Sequence, residues 1–156
     1  VFGGVYKLVA IEGKDGNIIP KIKISENEAK ITNPHYKKIY RLFEKDTDKA
    51  IADVMCLYDE VIDDSKPYEI FDPNYTWKRK IVENFYVEQL QVPIFINGEL
   101  VYDLPSLQEI RLYSAKELGR LWEEVKRFDN PHTYYFDLSQ KLWDIKHEML
   151  RKGRKG

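Results

Sequence analysis

Cysteine is almost absent from this chain: one residue, Cys56, in 156. A lone thiol excludes an internal disulfide framework. It sits in the apolar run 50–57 with no cationic neighbour in sequence, which predicts a small buried thiol and not a nucleophile. Long hydrophobic runs are missing too, since none approaches the roughly 18 residues needed to cross a bilayer. No basic-then-apolar leader opens the chain, so neither secretion nor a membrane is expected, and a reducing cytoplasm fits best. A surplus of one charge is also lacking. With 25 Lys and Arg against 26 Asp and Glu, no overall field favours nucleic acid or an anionic membrane. Histidine is scarce, and His35, His132 and His147 are far apart, with no Cys, Asp or His at ligand spacing on a shared face, so no metal site is expected. Internal repeats and low-complexity segments are absent.

The chain does have 43% hydrophobic and 33% charged residues, which suits one soluble globular domain with a real core. The opening Val-Phe-Gly-Gly-Val-Tyr reads as the middle of something, so residue 1 is expected to be a cut. The first half reads as β hairpins. Val5 to Ile11, the turn Asp15-Gly16 and the alternating run Ile18 to Ser25 form one hairpin signature. Ser25 to Glu28 has capping-box spacing before Asn33-Pro34 breaks the segment. Tyr36 to Phe43 and Ala50 to Tyr58 flank the turn run Asp46-Thr47-Asp48 as a second hairpin. Residues 59–84 are irregular, with short strands expected at Tyr68 to Phe71 and Phe85 to Val92. Asn97-Gly98 between Ile94-Phe95-Ile96 and Glu99-Leu100-Val101 is the strongest two-residue hairpin signal, because both turn positions need a positive φ.

The last third reads as helical. Ser106-Leu107-Gln108-Glu109 is a capping box, and a helix is expected from about Leu107 to Arg127. Gly119 interrupts it and suggests that another backbone packs closely there. A final helix from about Leu138 to Leu150 presents Leu138, Leu142, Ile145 and Met149 on one stripe. The fold class expected is therefore α+β, antiparallel hairpins followed by two C-terminal helices.

No self-contained active site emerges from spacing. The acidic loop Asp59, Glu60, Asp63 and Asp64 lacks a calcium-loop pattern and reads as solvated. The lysines are more suggestive. Lys7, Lys21, Lys23, Lys37, Lys38 and Arg41 fall within the two amino-terminal hairpins, where strand pairing can gather a basic patch suited to phosphate oxygens. The competing reading is a solvated sheet face. Lys21 and Lys23, two apart on one expected strand, should share a face.

Several segments resemble one family. Phe2-Gly3-Gly4-Val5-Tyr6-Lys7-Leu8-Val9-Ala10 is similar to a signature late in the nicotinate phosphoribosyltransferase chain. Lys21 to Asn27, Lys30 to Pro34, Lys37-Lys38, Tyr40-Arg41-Leu42 and Ala50 to Asp53 keep that family's order, as do Leu100 to Leu107 and Asp137 to Trp143 near the end. His35-Tyr36 stands where many relatives have a shorter glycine-containing turn. The resemblance implies the carboxy-terminal portion of an enzyme of NAD salvage, a glycosyl transfer joining nicotinate to phosphoribosyl pyrophosphate, with ATP hydrolysis and Mg²⁺, in a homodimer. It implies that residues 1–24 belong to the end of the catalytic α/β barrel region and the following hairpin, and 25–156 to the C-terminal domain. The barrel's catalytic groups would precede this chain, so none of the three histidines takes the family's phosphorylated role. No catalytic residue is expected here, and no cofactor is expected to be held by this chain alone. Motif order brings Lys7, Lys21, Lys23, Ser25 and Lys37 nearest the phosphate-binding positions of the related nicotinamide phosphoribosyltransferases. The chain alone is expected to be inactive, with the strand Val5 to Ile11 leaving apolar surface uncovered. The alternative is an independent β-rich module that binds a nucleotide or a protein.

Overall fold

The computed structural model describes residues 3–153, so expectations for Val1, Phe2 and the end of the basic tail lie outside the described residues. Two compact units divide the chain: one takes residues up to Lys38, Met55–Val61 and those from Leu138 on, the other Ile39–Val54 and Ile62–Asp137. The architecture is α+β, as expected, with antiparallel hairpins ahead of a carboxy-terminal helix.

In the first unit the amino-terminal hairpin is shorter than its sequence suggested. β1 (Ala10–Glu12) pairs with β2 (Ile18–Pro20) in the register Ala10↔Pro20 and Glu12↔Ile18. The turn is closed by Gly13 N–H to Asn17 O, with Gly16 at φ 78°. Such a two-stranded ribbon gains little without an apolar face to bury, and Ile11 and Ile19 are both exposed. Ahead of β1, Val5, Tyr6 and Leu8 are 82%, 98% and 64% exposed, in line with the expectation that this segment lacks cover. Ser25 does not cap a helix. Asn27 instead caps a single 3₁₀ turn, Glu28–Lys30, through its side chain, and the Ser25 hydroxyl accepts from the Asn27 N–H.

This unit's core forms where the last helix returns. α3 (Gln140–Gly153) begins two residues later than expected, because Leu138 belongs to a strand. Ser139 fixes the start: its hydroxyl accepts from the Leu142 N–H and donates to Glu60, and Glu60 also accepts from the Leu57 N–H. Leu57, Leu138 and Leu142 are buried together, with Met55, Trp143 and Ile145 packed against them.

The second unit centres on a four-stranded sheet in the order β10-β4-β3-β7. β3 (Lys37–Glu44) alternates buried and half-buried residues along most of its length. β4 (Ala50–Leu57), flanked on both sides, is buried nearly throughout. That pattern is what a central strand requires. Together they realise the expected second hairpin. β5 (Tyr68–Phe71) and β6 (Arg79–Val82) form a separate ribbon held by the Arg79–Glu69 ion pair. β6 was not anticipated, since Arg79-Lys80-Ile81-Val82 is too short and charged to show alternation. β7 (Phe85–Gln89) pairs antiparallel with β3, Leu42 opposite Val87 and Phe43 opposite Tyr86. β8 (Phe95–Ile96) and β9 (Glu99–Leu100) flank Asn97 and Gly98 at φ 51° and 85°, which meets the expectation for that turn. β10 (Tyr135–Leu138) was also unanticipated.

α1 (Leu107–Gly119) opens on the Ser106 capping box with both reciprocal bonds formed, to and from Glu109. It stops well short of Arg127, and only the four-residue α2 (Glu123–Lys126) follows. The stop has a tertiary cause. The carbonyls of Gly119 and Leu121 take the Lys49 ammonium, and the Arg120 carbonyl takes the Ala50 N–H, so the end of the helix is satisfied by the β3–β4 hairpin and not by another turn. The space beside Gly119 is open, with no described atom outside its own helix and chain neighbours within 4 Å of where its Cβ would stand; the backbone that comes close does so one residue on, where the Ala50 N–H meets the Arg120 carbonyl.

Arg120 itself is 6% exposed. Its guanidinium lies over the Phe43 ring, 3.4 Å from the centroid, and donates to both Glu88 oxygens at 2.8 and 2.9 Å, to Glu117 at 3.1 Å, to Asp48 at 3.2 Å and to the Tyr86 hydroxyl at 2.6 Å. One side chain thus joins β7, the β3–β4 turn and the end of α1. Arg120→Ala should lower unfolding free energy by about 2–4 kcal/mol, because it leaves several oriented carboxylates together without their cation. Arg120→Lys, which keeps the charge but loses the fork, should fall in between. Denaturant titration of both variants checks this.

Candidate functional site

The five residues singled out for phosphate all lie in the first unit, tied together by backbone hydrogen bonds. The Val9 carbonyl accepts from the amides of both Lys21 and His35. The Lys23 amide donates to the Thr32 hydroxyl at 3.1 Å, and the Lys7 ammonium donates to the Lys30 carbonyl at 2.9 Å. Segments 7–9, 21–25 and 30–37 are therefore neighbours. Their side chains are not equally available. Lys7 is spent on Lys30, Lys37 donates to the His35 carbonyl at 2.6 Å, and Ser25 is engaged with Asn27. Burial lowers the pKa of Lys37 from its ordinary value. Lys21 and Lys23 have no side-chain hydrogen bond or ion pair among the described residues. β2 ends at Pro20, so strand alternation does not govern the two, and the argument that they share a face lapses. Lys21 is half-buried and Lys23 exposed.

The other candidates are accounted for locally. Burial pushes the Cys56 thiol up to about 12, with the nearby Glu60 charge adding to it; such a thiol is inert as a nucleophile. The acidic loop does not converge. Asp63 pairs with Lys66 at 2.8 Å and accepts from Ser65, which holds it near 2, while Asp64 accepts from the Val87 N–H and Glu60 from Leu57 and Ser139. His35 sits at φ 78°, the left-handed region, directly before Tyr36, whose ring stacks on Tyr58 at 4.3 Å. His132 donates its amide to the Glu124 carbonyl, and His147 stacks on Trp143 at 3.7 Å. Among the described residues no group of three or more His, Cys, Asp or Glu is placed to hold a metal ion. A shallow concavity of about 410 Å³ lies along α3, lined by Trp143, Asp144, His147, Glu148 and Arg151. No described helix is long and apolar enough to cross a membrane.

The second unit holds polar groups that sequence reasoning missed. Arg41 grips Asp53 in a two-pronged contact at 2.7 and 2.9 Å, and Asp53 also accepts from the Tyr134 hydroxyl at 3.0 Å. Hydrogen bonding to Asp53 raises the Arg41 pKa further above its already high value, and burial raises that of Tyr134. These contacts bind charge inside the fold and leave no group poised to react. Arg41 and Asp53 stand at facing positions of a predicted hairpin, so their pairing could have been read from the sequence. The Arg120 cluster could not, because its hydrogen-bond partners other than Glu117 lie 32 to 72 residues away.

A family model described as "Nicotinate phosphoribosyltransferase C-terminal domain" matches residues 36–146. The chain is 41% identical over 150 residues to a nicotinate phosphoribosyltransferase of Bacillus subtilis, covering 96% of this chain and 30% of that protein. It is 32% identical to a protein of the same name from Homo sapiens, covering 90% and 25%. The crystal structure of human nicotinic acid phosphoribosyltransferase superposes with a TM-score of 0.75 at 28% identity, over 95% of this chain and 27% of that one. The chain thus spans less than a third of the length of these relatives.

One buried acid yields a pH test. Asp137 is 2% exposed; burial, and secondarily the Asp72 charge, raise it from 3.8 to about 6. A carboxyl raised on folding stabilises fully below its unfolded value and loses that contribution as pH climbs through the folded value. Asp137→Asn should therefore be more stable than the parent chain by about 1–3 kcal/mol at pH 7.5. The gain should shrink between pH 6 and pH 4 and vanish below. Urea titrations across that range measure it.

Proposed function

Because the chain belongs to the nicotinate phosphoribosyltransferase family, as its C-terminal domain, we propose that it is one part of an enzyme that joins nicotinate to phosphoribosyl pyrophosphate in NAD salvage. The reaction, a glycosyl transfer releasing pyrophosphate, forms nicotinate mononucleotide and is coupled to ATP hydrolysis in a homodimeric cytoplasmic enzyme. The observation that carries this reading is the match along 96% of the chain to a transferase more than three times as long. In this reading residues 1–24 close the catalytic barrel region and 25–156 form the C-terminal domain.

Within such an enzyme, Lys21 and Lys23 are the residues of this chain best suited to phosphate oxygens. They are the two of the five candidates whose side-chain polar groups are unspent among the described residues. An ammonium on a flexible stem suits a mobile pyrophosphate. Lys7, Ser25 and Lys37 would first have to leave their present acceptors or donors, so their part is secondary. Mg²⁺ would accompany the phosphates, but the described carboxylates of this chain do not form a set that fits it. Stabilising a cationic ribosyl centre and a departing pyrophosphate needs groups held around the reacting atoms. Here the acids and bases are tied into separate local contacts.

The chain alone should give no nicotinate mononucleotide when mixed with nicotinate, phosphoribosyl pyrophosphate, Mg²⁺ and ATP and analysed by chromatography. Any affinity of its exposed lysines for phosphate is screened within about 8 Å at physiological salt. Turnover that survives repurification would contradict this reading.

A further inference from the structure

The stretch from Val92 to Leu118 is locally well specified yet buries almost nothing. Asn97-Gly98 sets the β8–β9 turn, and the Ser106–Glu109 capping box sets the start of α1. Neither element has a buried residue. Phe95 is 66% exposed, Leu107 72%, Leu112 61% and Tyr113 64%. An isolated two-residue ribbon and a 13-residue helix are each marginal in water without an apolar face to bury. Exposed apolar residues in this number mark an interface. We propose that residues 92–118 are a docking arm, covered in the working protein by the longer portion of the transferase chain that the C-terminal domain follows.

Two observations choose this occupant over a second copy of the domain. First, the family match at 36–146 contains the whole arm, and the relatives carry roughly 70% of their length outside the matched region, so a large body is available to cover it. Second, the apolar residues of α1 are not confined to one stripe. At 3.6 residues per turn Leu107, Leu112 and Tyr113 point in three directions roughly 120° apart. A two-fold contact between equivalent helices covers one face of each and would leave at least one of these three in water. The polar residues among them, Gln108, Arg111 and Lys116, have long stems that can reach past an apolar contact to water. This inference rests on the family reading above.

The test is thiol labelling of Leu112→Cys, against the low background of the buried Cys56. It is done on the 156-residue chain and on a full-length chimera in which the chain replaces the matching region of the Bacillus subtilis relative. The expected result is fast, concentration-independent labelling in the chain alone and at least tenfold slower labelling in a chimera that forms nicotinate mononucleotide. An active chimera labelled as fast as the chain would overturn the docking arm while leaving the family reading intact. Protection in the isolated chain that grows with its concentration would overturn it in favour of a second copy. An inactive chimera would count against the proposed transferase role, and its labelling rate would still decide the arm: slowed labelling supports it, and labelling as fast as in the chain overturns it.

Discussion

The second unit is organised around the need to satisfy one buried cation. Arg120 emerges where α1 stops, and the stop itself is enforced by Lys49 and the Ala50 amide. With the backbone fixed there, the guanidinium lies over Phe43 and reaches carboxylates from β7, the β3–β4 turn and α1. A cation so deep is tolerated because both terminal nitrogens of the guanidinium are paired, its Nε alone being left without a hydrogen-bond partner among the described residues. That demand fixes which residues may follow the hairpin and the strand, and it stiffens the sheet on which Arg41, Asp53 and Tyr134 form their own closed contact.

The first unit solves a smaller problem with apolar contacts. Leu57, Leu138 and Leu142 close on one another, and Glu60 and Ser139 satisfy the polar groups that this closure would otherwise strand. Each unit therefore ties most of its buried polar groups into its own fold. Exposed apolar surface is prominent on the segment before β1 and on residues 92–118, and Lys21 and Lys23 are among the side chains left without a hydrogen bond or ion pair among the described residues.

The sequence carried those elements whose signal is local. The β3–β4 hairpin, the Asn97-Gly98 turn and the Ser106 cap follow from alternation, positive φ and reciprocal hydrogen bonding within four residues. The failures share a physical cause. The length of α1 depended on Lys49, some 70 residues away. The strand ahead of Gly13 shortened because β-branched residues without a buried face gain nothing from pairing, and β10 hid inside the apparent helix start at Leu138. The candidate phosphate residues were legible as a family of positions. Which of them keep free ammoniums depended on the carbonyls of Lys30 and His35, and spacing alone does not reveal those.

Amide hydrogen exchange on the isolated chain tests most directly whether it is a folded domain with an unsupported arm. Amides of β3, β4, β7 and α3 should exchange slowly, and those of residues 92–118 nearly as fast as an unfolded peptide, because that segment's hydrogen bonds lack tertiary cover. Strong protection of α1 and the β8–β9 hairpin in the isolated chain, or none in the sheet, would contradict this picture.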